Sequence, residues 1–297
     1  MESPYQLRGV FSILLAGFVF VFNDALMKLA MVDLPPYEVL VLRGLSGIVF
    51  ALLFLAWRGE AKWHPAILTW PVLMRASLEC VAILTYIIAL QYAPIGDVTA
   101  LFQTTPLLVF VGLVFIQGEK ASALRLSLVV LGFVGAMMVA QPGLGTISPY
   151  AMLALVTAGF AAARDLAARK IVSDFPALLS TFVLILTVLS FAFVCHLLFE
   201  KWVAPPPAVL ALPLAAGLMM MLGHHFTLLA YRYADGQVVA PFYYGFLVFA
   251  VIGGYFIFGD VPNALSFFGM AVIVLSGLAI LWLGKRDDAK LFQSSDL

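Results

Sequence analysis

Long apolar runs follow one another along almost the whole chain, separated by short segments that carry proline, glycine or charge. Each run is close to the roughly 20 residues that an α-helix needs to cross the hydrocarbon core of a membrane. A transmembrane barrel would show shorter segments of alternating polarity instead. The pattern therefore predicts an all-α membrane protein with ten transmembrane helices. These runs, numbered 1 to 10, cover about residues 8–30, 36–57, 70–92, 97–117, 122–141, 148–170, 177–199, 208–232, 238–258 and 264–284.

Composition narrows the class of protein further. Of the 297 residues, 64% are hydrophobic and only 11% are charged, whereas a soluble domain is about 25% charged. The mean hydropathy is +1.07. These values exclude a soluble enzyme, a disordered chain and a nucleic-acid binder, and 16 basic residues are balanced by 16 acidic ones. The expected surroundings are a lipid bilayer and a small-molecule substrate, with no nucleic acid.

Catalytic and cofactor motifs are missing from the sequence. Cys80 and Cys195 both lie inside apolar runs, where they indicate neither a disulfide framework nor a metal site. We find no nucleotide-binding loop, His-Glu-x-x-His motif or Gly-x-Ser-x-Gly elbow. We therefore expect a protein that is not an enzyme, has no catalytic residues, and uses no metal, cofactor or direct ATP hydrolysis.

The distribution of lysine and arginine predicts the orientation in the membrane, because cytoplasmic loops carry an excess of these residues. With ten spans and a cytoplasmic N-terminus, two basic residues, Lys28 and Lys201, fall on the opposite side. Eleven fall on the cytoplasmic side: Arg8, Arg58, Lys62, Lys120, Arg125, Arg169, Lys170, Arg232, Lys285, Arg286 and Lys290. We expect a multi-pass protein of a bacterial inner membrane, with both termini in the cytoplasm.

The two halves of the chain resemble each other at a nearly constant offset. Ala16-Gly17-Phe18 recurs as Ala158-Gly159-Phe160 at an offset of 142, and Tyr92-Ala93 recurs as Tyr233-Ala234 at 141. Each half holds five predicted helices, and five is odd, so the second half enters the membrane from the opposite side. The sequence thus predicts two inverted five-helix repeats, residues 1–143 and 144–284, followed by a polar cytoplasmic tail at 285–297. Inverted repeats are typical of secondary transporters, although some channels and scaffolds also have them.

A family resemblance rests on these features. The five-plus-five arrangement, the Gly118-Glu119 and Gly259-Asp260 turns after runs 4 and 9, and the glycine-rich runs 5 and 10 resemble the EamA-type branch of the drug/metabolite transporter superfamily. Within that branch the chain is similar to bacterial amino-acid exporters, including the aromatic amino-acid group. The resemblance implies a central cavity lined by runs 1, 3, 4, 6, 8 and 9, with runs 5 and 10 at the periphery.

Charged residues inside the membrane are costly, so those in the runs are candidates for function. Asn23 and Asp24 lie late in run 1, and Arg43 lies early in run 2. An Asp24–Arg43 ion pair that pins the two helices, or a gate that recognises zwitterions, would explain them. Lys28, one turn after Asp24, offers a local partner instead.

Run 6 carries the counterpart of this group. Asp165 corresponds to Asn23 and lies four residues before Arg169, so a local pair near the inner surface is expected. Arg164 points about 100° away from Asp165 on the helix. It is a candidate for an inner gate or for holding a substrate carboxylate, and the alternative is that it extends to the cytoplasmic interface.

Run 3 places Arg75, Glu79 and Tyr86 on one helical face, at spacings of four and seven. Glu79 pairs locally with Arg75, or it binds a substrate ammonium or carries a coupling proton. His224 and His225 are neighbours in run 8, so only one of them is expected to face the cavity. Each is a candidate for proton transfer or for an interhelical hydrogen bond.

Runs 4 and 9 carry uncharged polar candidates at corresponding positions of the repeat. Gln103 and Thr104 precede Pro106 in run 4, and Tyr243 and Tyr244 follow Pro241 in run 9. Each proline loosens its helix. Amide, hydroxyl and phenol groups bind a substrate without full charge, so we include these four residues among the candidates for the cavity.

Together, the repeat and the resemblance predict a secondary transporter. It would export amino acids, aromatic or other neutral ones, and related metabolites by alternating access through a central cavity. A broad-specificity drug or metabolite efflux carrier of the same fold is the main alternative, and a passive channel is a second one. Proton coupling is one source of energy that the titratable residues permit.

Overall fold

The computed structural model describes residues 4–59, 69–115, 122–140, 150–168, 177–234 and 239–295. Within these ranges the chain forms α-helices, with one 3₁₀ turn and one π-helical turn and no strand. Lipid offers the backbone no hydrogen-bond partners, so a helix that satisfies its own backbone is the structure such apolar runs require. The turn at Gly118-Glu119 and the basic residues Lys62, Lys120, Arg169 and Lys170 lie outside the described residues.

The described residues of the first half form six helices. They are α1 (Pro4–Ala30), α2 (Pro36–Arg58), α3 (Trp70–Tyr92), α4 (Ile95–Phe102), α5 (Thr105–Phe115) and α6 (Ala123–Ala140). Proline occupies the first helical position of α2, where its missing N–H costs nothing. Gly59 ends that helix at φ 68°, a left-handed conformation that favours glycine.

The second half begins with three long helices, α7 (Ala151–Ala168), α8 (Ala177–Phe199) and α9 (Pro207–Tyr233). Run 9 is composite: a 3₁₀ turn (Ala240–Tyr244) leads into α10 (Gly245–Gly253), and a π-helical turn (Gly254–Phe258) ends it. The last helix, α11, spans Ala264–Ser295 and therefore continues through the predicted tail.

Six of the described segments are long and apolar enough to cross a membrane, as judged by length and composition alone. They are Gln6–Ala30, Pro36–Arg58, Trp70–Tyr92, Ile95–Phe115, Thr181–Phe199 and Pro207–Tyr233. Three shorter apolar segments accompany them: Ala123–Val139, Phe242–Phe258 and Ala264–Ile280. The chain is thus an all-helical protein with several membrane-spanning helices.

Helices from the two halves pack against each other throughout the molecule. The most extensive contacts join α1 to α9, α3 to α7 and α6 to α11, and α2 packs on both α8 and α9. Small residues allow the close approaches. A β-carbon added to Gly217 of α9 would meet the backbone oxygen of Arg43 at 2.6 Å and the backbone nitrogen of Gly47 at 2.8 Å. The helices α1, α3, α7 and α9 therefore surround the interior, while α6 and α11 lie together at one side.

Contacts across the loops define one end of the molecule, which we term the predicted outer end. The C-terminal ends of α1, α3 and α8 and the N-terminal ends of α2, α4 and α9 meet there. The opposite end is termed the predicted inner end.

Candidate functional site

A first polar group joins α1 to α3 inside the helix bundle. Tyr86 donates a hydrogen bond from its hydroxyl to Oδ2 of Asp24 at 2.7 Å. Asn23 donates from its amide nitrogen to Oδ1 of the same carboxylate at 2.9 Å. Both oxygens of Asp24 therefore accept hydrogen bonds from neutral donors. This arrangement brings together two candidates that the sequence placed on different runs.

Arg43 lies beside this group without a direct carboxylate partner in the part of the chain that the structure describes. The residue is only 6% exposed. Its Nη1 contacts the sulfur of Met27 at 3.4 Å, and its buried Nε has no hydrogen-bond partner. Asp24 and Glu79 are nevertheless near enough to act on it electrostatically. The direct Asp24–Arg43 ion pair that the sequence suggested is not formed.

Lys28 does not pair with Asp24 either. Its ammonium donates to the backbone oxygen of Ala93, at the end of α3, and lies 5.2 Å from the ring centroid of Phe258. The local i,i+4 alternative was therefore wrong, because the lysine side chain extends beyond its own helix toward the predicted outer end.

A second polar group joins α3 to α7. Arg164 donates from Nη1 to Oε2 of Glu79 at 2.5 Å and from Nε to Oδ1 of Asp165 at 2.8 Å. The side chains of Glu79 and Arg164 are 15% and 19% exposed, whereas that of Asp165 is 45% exposed. Arg164 thus links the two helices rather than extending to the interface. The expected partner of Asp165, Arg169, lies outside the described residues.

The two histidines of α9 face different neighbours. His224 packs edge-on against Phe20 of α1 at 5.2 Å and lies near enough to Glu79 to interact electrostatically. His225 packs against Phe54 of α2 at 5.0 Å, and the charge that acts on it is Arg58. His224 is therefore the one directed toward the interior polar residues. Among the described residues, no group of three or more histidine, cysteine or acidic side chains is placed to hold a metal ion.

Runs 4 and 9 are both broken near their prolines and are joined at the breaks. Between α4 and α5, Gln103 donates from its amide nitrogen to the backbone oxygen of Tyr243 at 2.9 Å. The hydroxyl of Thr104 is buried and donates to the backbone oxygen of Leu101 in its own helix. Gln103 therefore connects the two repeat-related segments, while Thr104 satisfies the end of α4.

The neighbouring tyrosines of run 9 point in different directions. The ring of Tyr243 stacks on Phe246 at 4.7 Å and lies near Arg164 and Glu79. Tyr244 is 5% exposed, and its hydroxyl lies against Gly277 of α11 without a hydrogen-bond partner among the described residues. Tyr243 is therefore the tyrosine that lies near the interior charges, and its role in lining a cavity stays a prediction. Tyr244 packs toward the periphery, and this corrects its inclusion in the cavity.

Sequence reasoning missed an acidic group at the predicted outer end. Glu200 accepts hydrogen bonds from the backbone nitrogens of Tyr37 and Glu38, at 3.0 and 3.1 Å, and so caps α2 from the end of α8. Glu38, fully buried, accepts one from the backbone nitrogen of Val203 at 3.0 Å. A proline-initiated helix with orphan N–H groups was the signal that could have indicated such a cap.

Relatives place the chain among known proteins. The model of the EamA-like transporter family matches residues 7–141. A riboflavin transporter from Vibrio cholerae is 30% identical over 92% of this chain and 92% of its own length. The chain belongs to the EamA-like transporter family. Its function is accordingly that of a multi-pass membrane transporter for a small molecule.

Other relatives of this EamA-like transporter differ in the substrate that they are named for. A pseudopaline exporter from Pseudomonas aeruginosa is 27% identical over 92% of this chain and 95% of its own length. An S-adenosylmethionine uptake transporter from Rickettsia prowazekii is 23% identical over 97% of each chain. A crystal structure of another protein shares the fold, with a TM-score of 0.64 and 19% identity over 95% of this chain and 99% of that one. These relatives agree on transport and do not support amino acids in particular.

Proposed function

We propose that this EamA-like transporter is a secondary carrier that exports amino acids or related small zwitterions through a central cavity. The observation that supports this substrate class is Arg43, a buried guanidinium whose Nε lacks a partner among the described residues. A buried arginine ordinarily binds a carboxylate, since its planar fork matches that group. A substrate carboxylate would supply the partner, and the nearby charge of Asp24 would suit a substrate ammonium.

The proposal includes ten membrane crossings in two inverted repeats, residues 1–143 and 144–284, with both termini in the cytoplasm. Reciprocal packing supports it. The repeat offset converts α1 into α7 and α3 into α9, and the contacts α1–α9 and α3–α7 exchange under this operation. The contacts α2–α8, α6–α11 and α4–α10 each map onto themselves. A bundle with this symmetry opens to either side when the two halves exchange conformations.

A second candidate substrate is a flat aromatic metabolite, as in the riboflavin transporters to which the chain is similar. Aromatic rings accompany both polar groups. Tyr86 meets Phe102 at 5.7 Å, Tyr243 stacks on Phe246 at 4.7 Å, and Phe20 packs against His224 at 5.2 Å. Such surfaces bind planar rings by stacking. This candidate needs no carboxylate on the substrate.

A transport assay with the purified chain in liposomes tests both candidates. Vesicles loaded with unlabelled amino acids should accumulate labelled phenylalanine or leucine by counterflow, with saturation at rising concentration. Arg43→Gln should reduce this accumulation at least about tenfold, and Arg43→Lys should restore part of it because the positive charge returns.

Other outcomes of this assay would favour one of the alternative functions. Counterflow of riboflavin without that of any amino acid would replace the first candidate by the second. Competition by unrelated cationic dyes as well as amino acids would indicate a broad-specificity carrier. Ohmic current without counterflow would indicate a channel and would contradict the carrier mechanism.

A further inference from the structure

Three charged side chains from separate elements meet at the predicted outer end, away from the two interior polar groups. Lys28 ends α1, Asp97 lies in the first turn of α4, and Asp260 follows the π-helical turn of run 9. Lys28 contacts both acidic segments: its ammonium donates to the backbone oxygen of Ala93, just before α4, and lies over the ring of Phe258. The three charges act on one another electrostatically.

The two carboxylates each retain an oxygen without a partner. Oδ1 of Asp97 and Oδ2 of Asp260 are both buried and accept no hydrogen bond from any described residue. Asp97 as a whole is only 3% exposed. The ammonium of Lys28 satisfies a backbone carbonyl rather than these oxygens. Buried carboxylate oxygens are ordinarily hydrogen-bonded, so these two oxygens, whose carboxylates act on each other electrostatically, can both accept a cationic ligand.

The net charge of Asp97, Asp260 and Lys28 indicates the charge of the ligand. Two ionised carboxylates and one ammonium leave a single uncompensated negative charge. An uncompensated charge in a buried environment is costly. One monovalent cation restores neutrality, and two neighbouring carboxylates can share a proton for the same reason.

The backbone around Asp260 is fixed in place. Gly259 adopts φ 71°, which permits the sharp turn after the π-helical segment. The backbone nitrogen of Asp260 then donates to the backbone oxygen of Gly254 at 3.1 Å. The carboxylate is thereby held at the end of run 9, the segment that Gln103 joins to run 4.

We propose that Asp97 and Asp260 form a binding site for one monovalent cation, a proton or Na⁺, with Lys28 as an internal competitor. The site is distinct from the Arg43–Asp24 group and does not depend on the identity of the substrate. A cation that enters here weakens the attraction of Lys28 for the ends of α4 and run 9. The three elements then separate more easily at this end.

Two measurements on the purified full chain distinguish the ions. If the ligand is a proton, the infrared spectrum at pH 7 shows the carbonyl stretch of a protonated carboxyl group. That band should be lost in Asp97→Asn or Asp260→Asn and kept in Asp33→Asn, a control at an exposed position of the same end. If the ligand is Na⁺, replacing choline chloride by NaCl should raise the Tm of the wild type but not that of Asp97→Asn or Asp260→Asn.

Lys28→Gln provides the second variant. If the ligand is Na⁺, removing the competing charge should raise the apparent Na⁺ affinity about tenfold. If the ligand is a proton, the infrared band of the protonated carboxyl group should persist to a pH about one unit higher, which is the same tenfold change in affinity. A purely structural latch would give only a lower Tm. The proposal is overturned if neither the band nor the Na⁺ response differs between the wild type and the aspartate variants, or if Lys28→Gln leaves both unchanged. Either result leaves the proposed carrier function intact, because no substrate is used.

Discussion

Arg164 of α7 and Glu79 of α3 form an ion pair between two helices, with 2.5 Å between Nη1 and Oε2. A buried ion pair is weak evidence for stability, because desolvation offsets much of the attraction. Removing Arg164 would leave the buried carboxylate of Glu79 without its ion-pair partner, whereas removing Glu79 would leave Arg164 paired with Asp165 alone. We propose that the contact between Glu79 and Arg164 changes during transport, and substitution of Glu79 tests this role.

Glu79→Gln tests this role at the residue scale. The variant keeps the shape of the side chain and removes its charge. Because Arg164 keeps its contact with Asp165, the loss should lower the Tm but cost less than the roughly 3–5 kcal/mol of a buried charge left without any partner. If Glu79 binds an ammonium or carries the coupling proton, transport by proteoliposomes should also fall sharply or lose its pH dependence. The double variant Glu79→Gln/Arg164→Gln should recover part of the stability but none of the transport. Unchanged transport between pH 6 and pH 8 would exclude both functional roles.

At the scale of secondary-structure elements, the helices of runs 4 and 9 are both interrupted. Run 4 divides at Gln103 and Thr104, and run 9 begins with a 3₁₀ turn, so backbone carbonyls become available inside the bundle. Gln103 uses one of them, the oxygen of Tyr243. Irregular backbone within a membrane is tolerated where it is buried in protein or lines a cavity. The hydrogen bond of Gln103 therefore joins the two breaks.

Gln103→Leu should uncouple these segments. The substitution removes the hydrogen bond between the side chain of Gln103 and the backbone oxygen of Tyr243, and the net cost of such a loss is about 0.5–1.5 kcal/mol. We expect a lower Tm and slower counterflow. Gln91→Leu is the matched control, since Oε1 of Gln91 is buried without a partner among the described residues. Equal effects of the two substitutions on Tm and counterflow would contradict a coupling role for Gln103.

The close packing of α2 against α9 at Gly217 can also be tested by a substitution with a matched control. Gly217→Ala places a methyl group against the backbone of Arg43 and Gly47, which cannot give way as a side-chain end can. Overpacking of this kind costs about 1–3 kcal/mol, so the Tm should fall. Gly159→Ala is the control, because an added β-carbon there meets nothing within 4 Å. A fall in Tm for Gly159→Ala as large as that for Gly217→Ala would argue against backbone contact as the cause.

The whole molecule has different contacts at its two ends. At the predicted outer end, Glu200 and Glu38 connect α2 with α8 and the loop before α9, and Lys28 connects α1 with the ends of α3 and run 9. Toward the other end, the Arg164 group includes the half-exposed side chain of Asp165. The two ends of the described structure are therefore held together by different polar contacts.

Cysteine labelling in intact cells tests the orientation. Lys201 lies at the predicted outer end, and Arg232 lies near the predicted inner end of α9, and both are exposed. In a background with Cys80 and Cys195 replaced by alanine, Lys201→Cys should react with a membrane-impermeant maleimide from outside. Arg232→Cys should react only in inverted vesicles. The reverse pattern would place both termini outside and would overturn the topology drawn from the basic residues.

The apolar helices and the resemblance to a transporter family could be predicted from the amino-acid sequence. Those features depend on run length, hydropathy and the repeat offset, which are local or periodic properties of the chain. Proline also marked the breaks in runs 4 and 9 before the structure located them at Gln103–Thr104 and Ala240–Tyr244.

Which side chains contact one another could not be predicted from the sequence and became clear from the packing of the helices. A helical residue can be assigned a face from its position, but its partner depends on how neighbouring helices are rotated and how far a long side chain extends. Lys28 therefore bonds Ala93 rather than Asp24, Glu79 pairs with Arg164 across helices, and Tyr244 faces α11 while Tyr243 faces the interior. These pairings arise from contacts between distant segments, and spacing along one helix does not encode them.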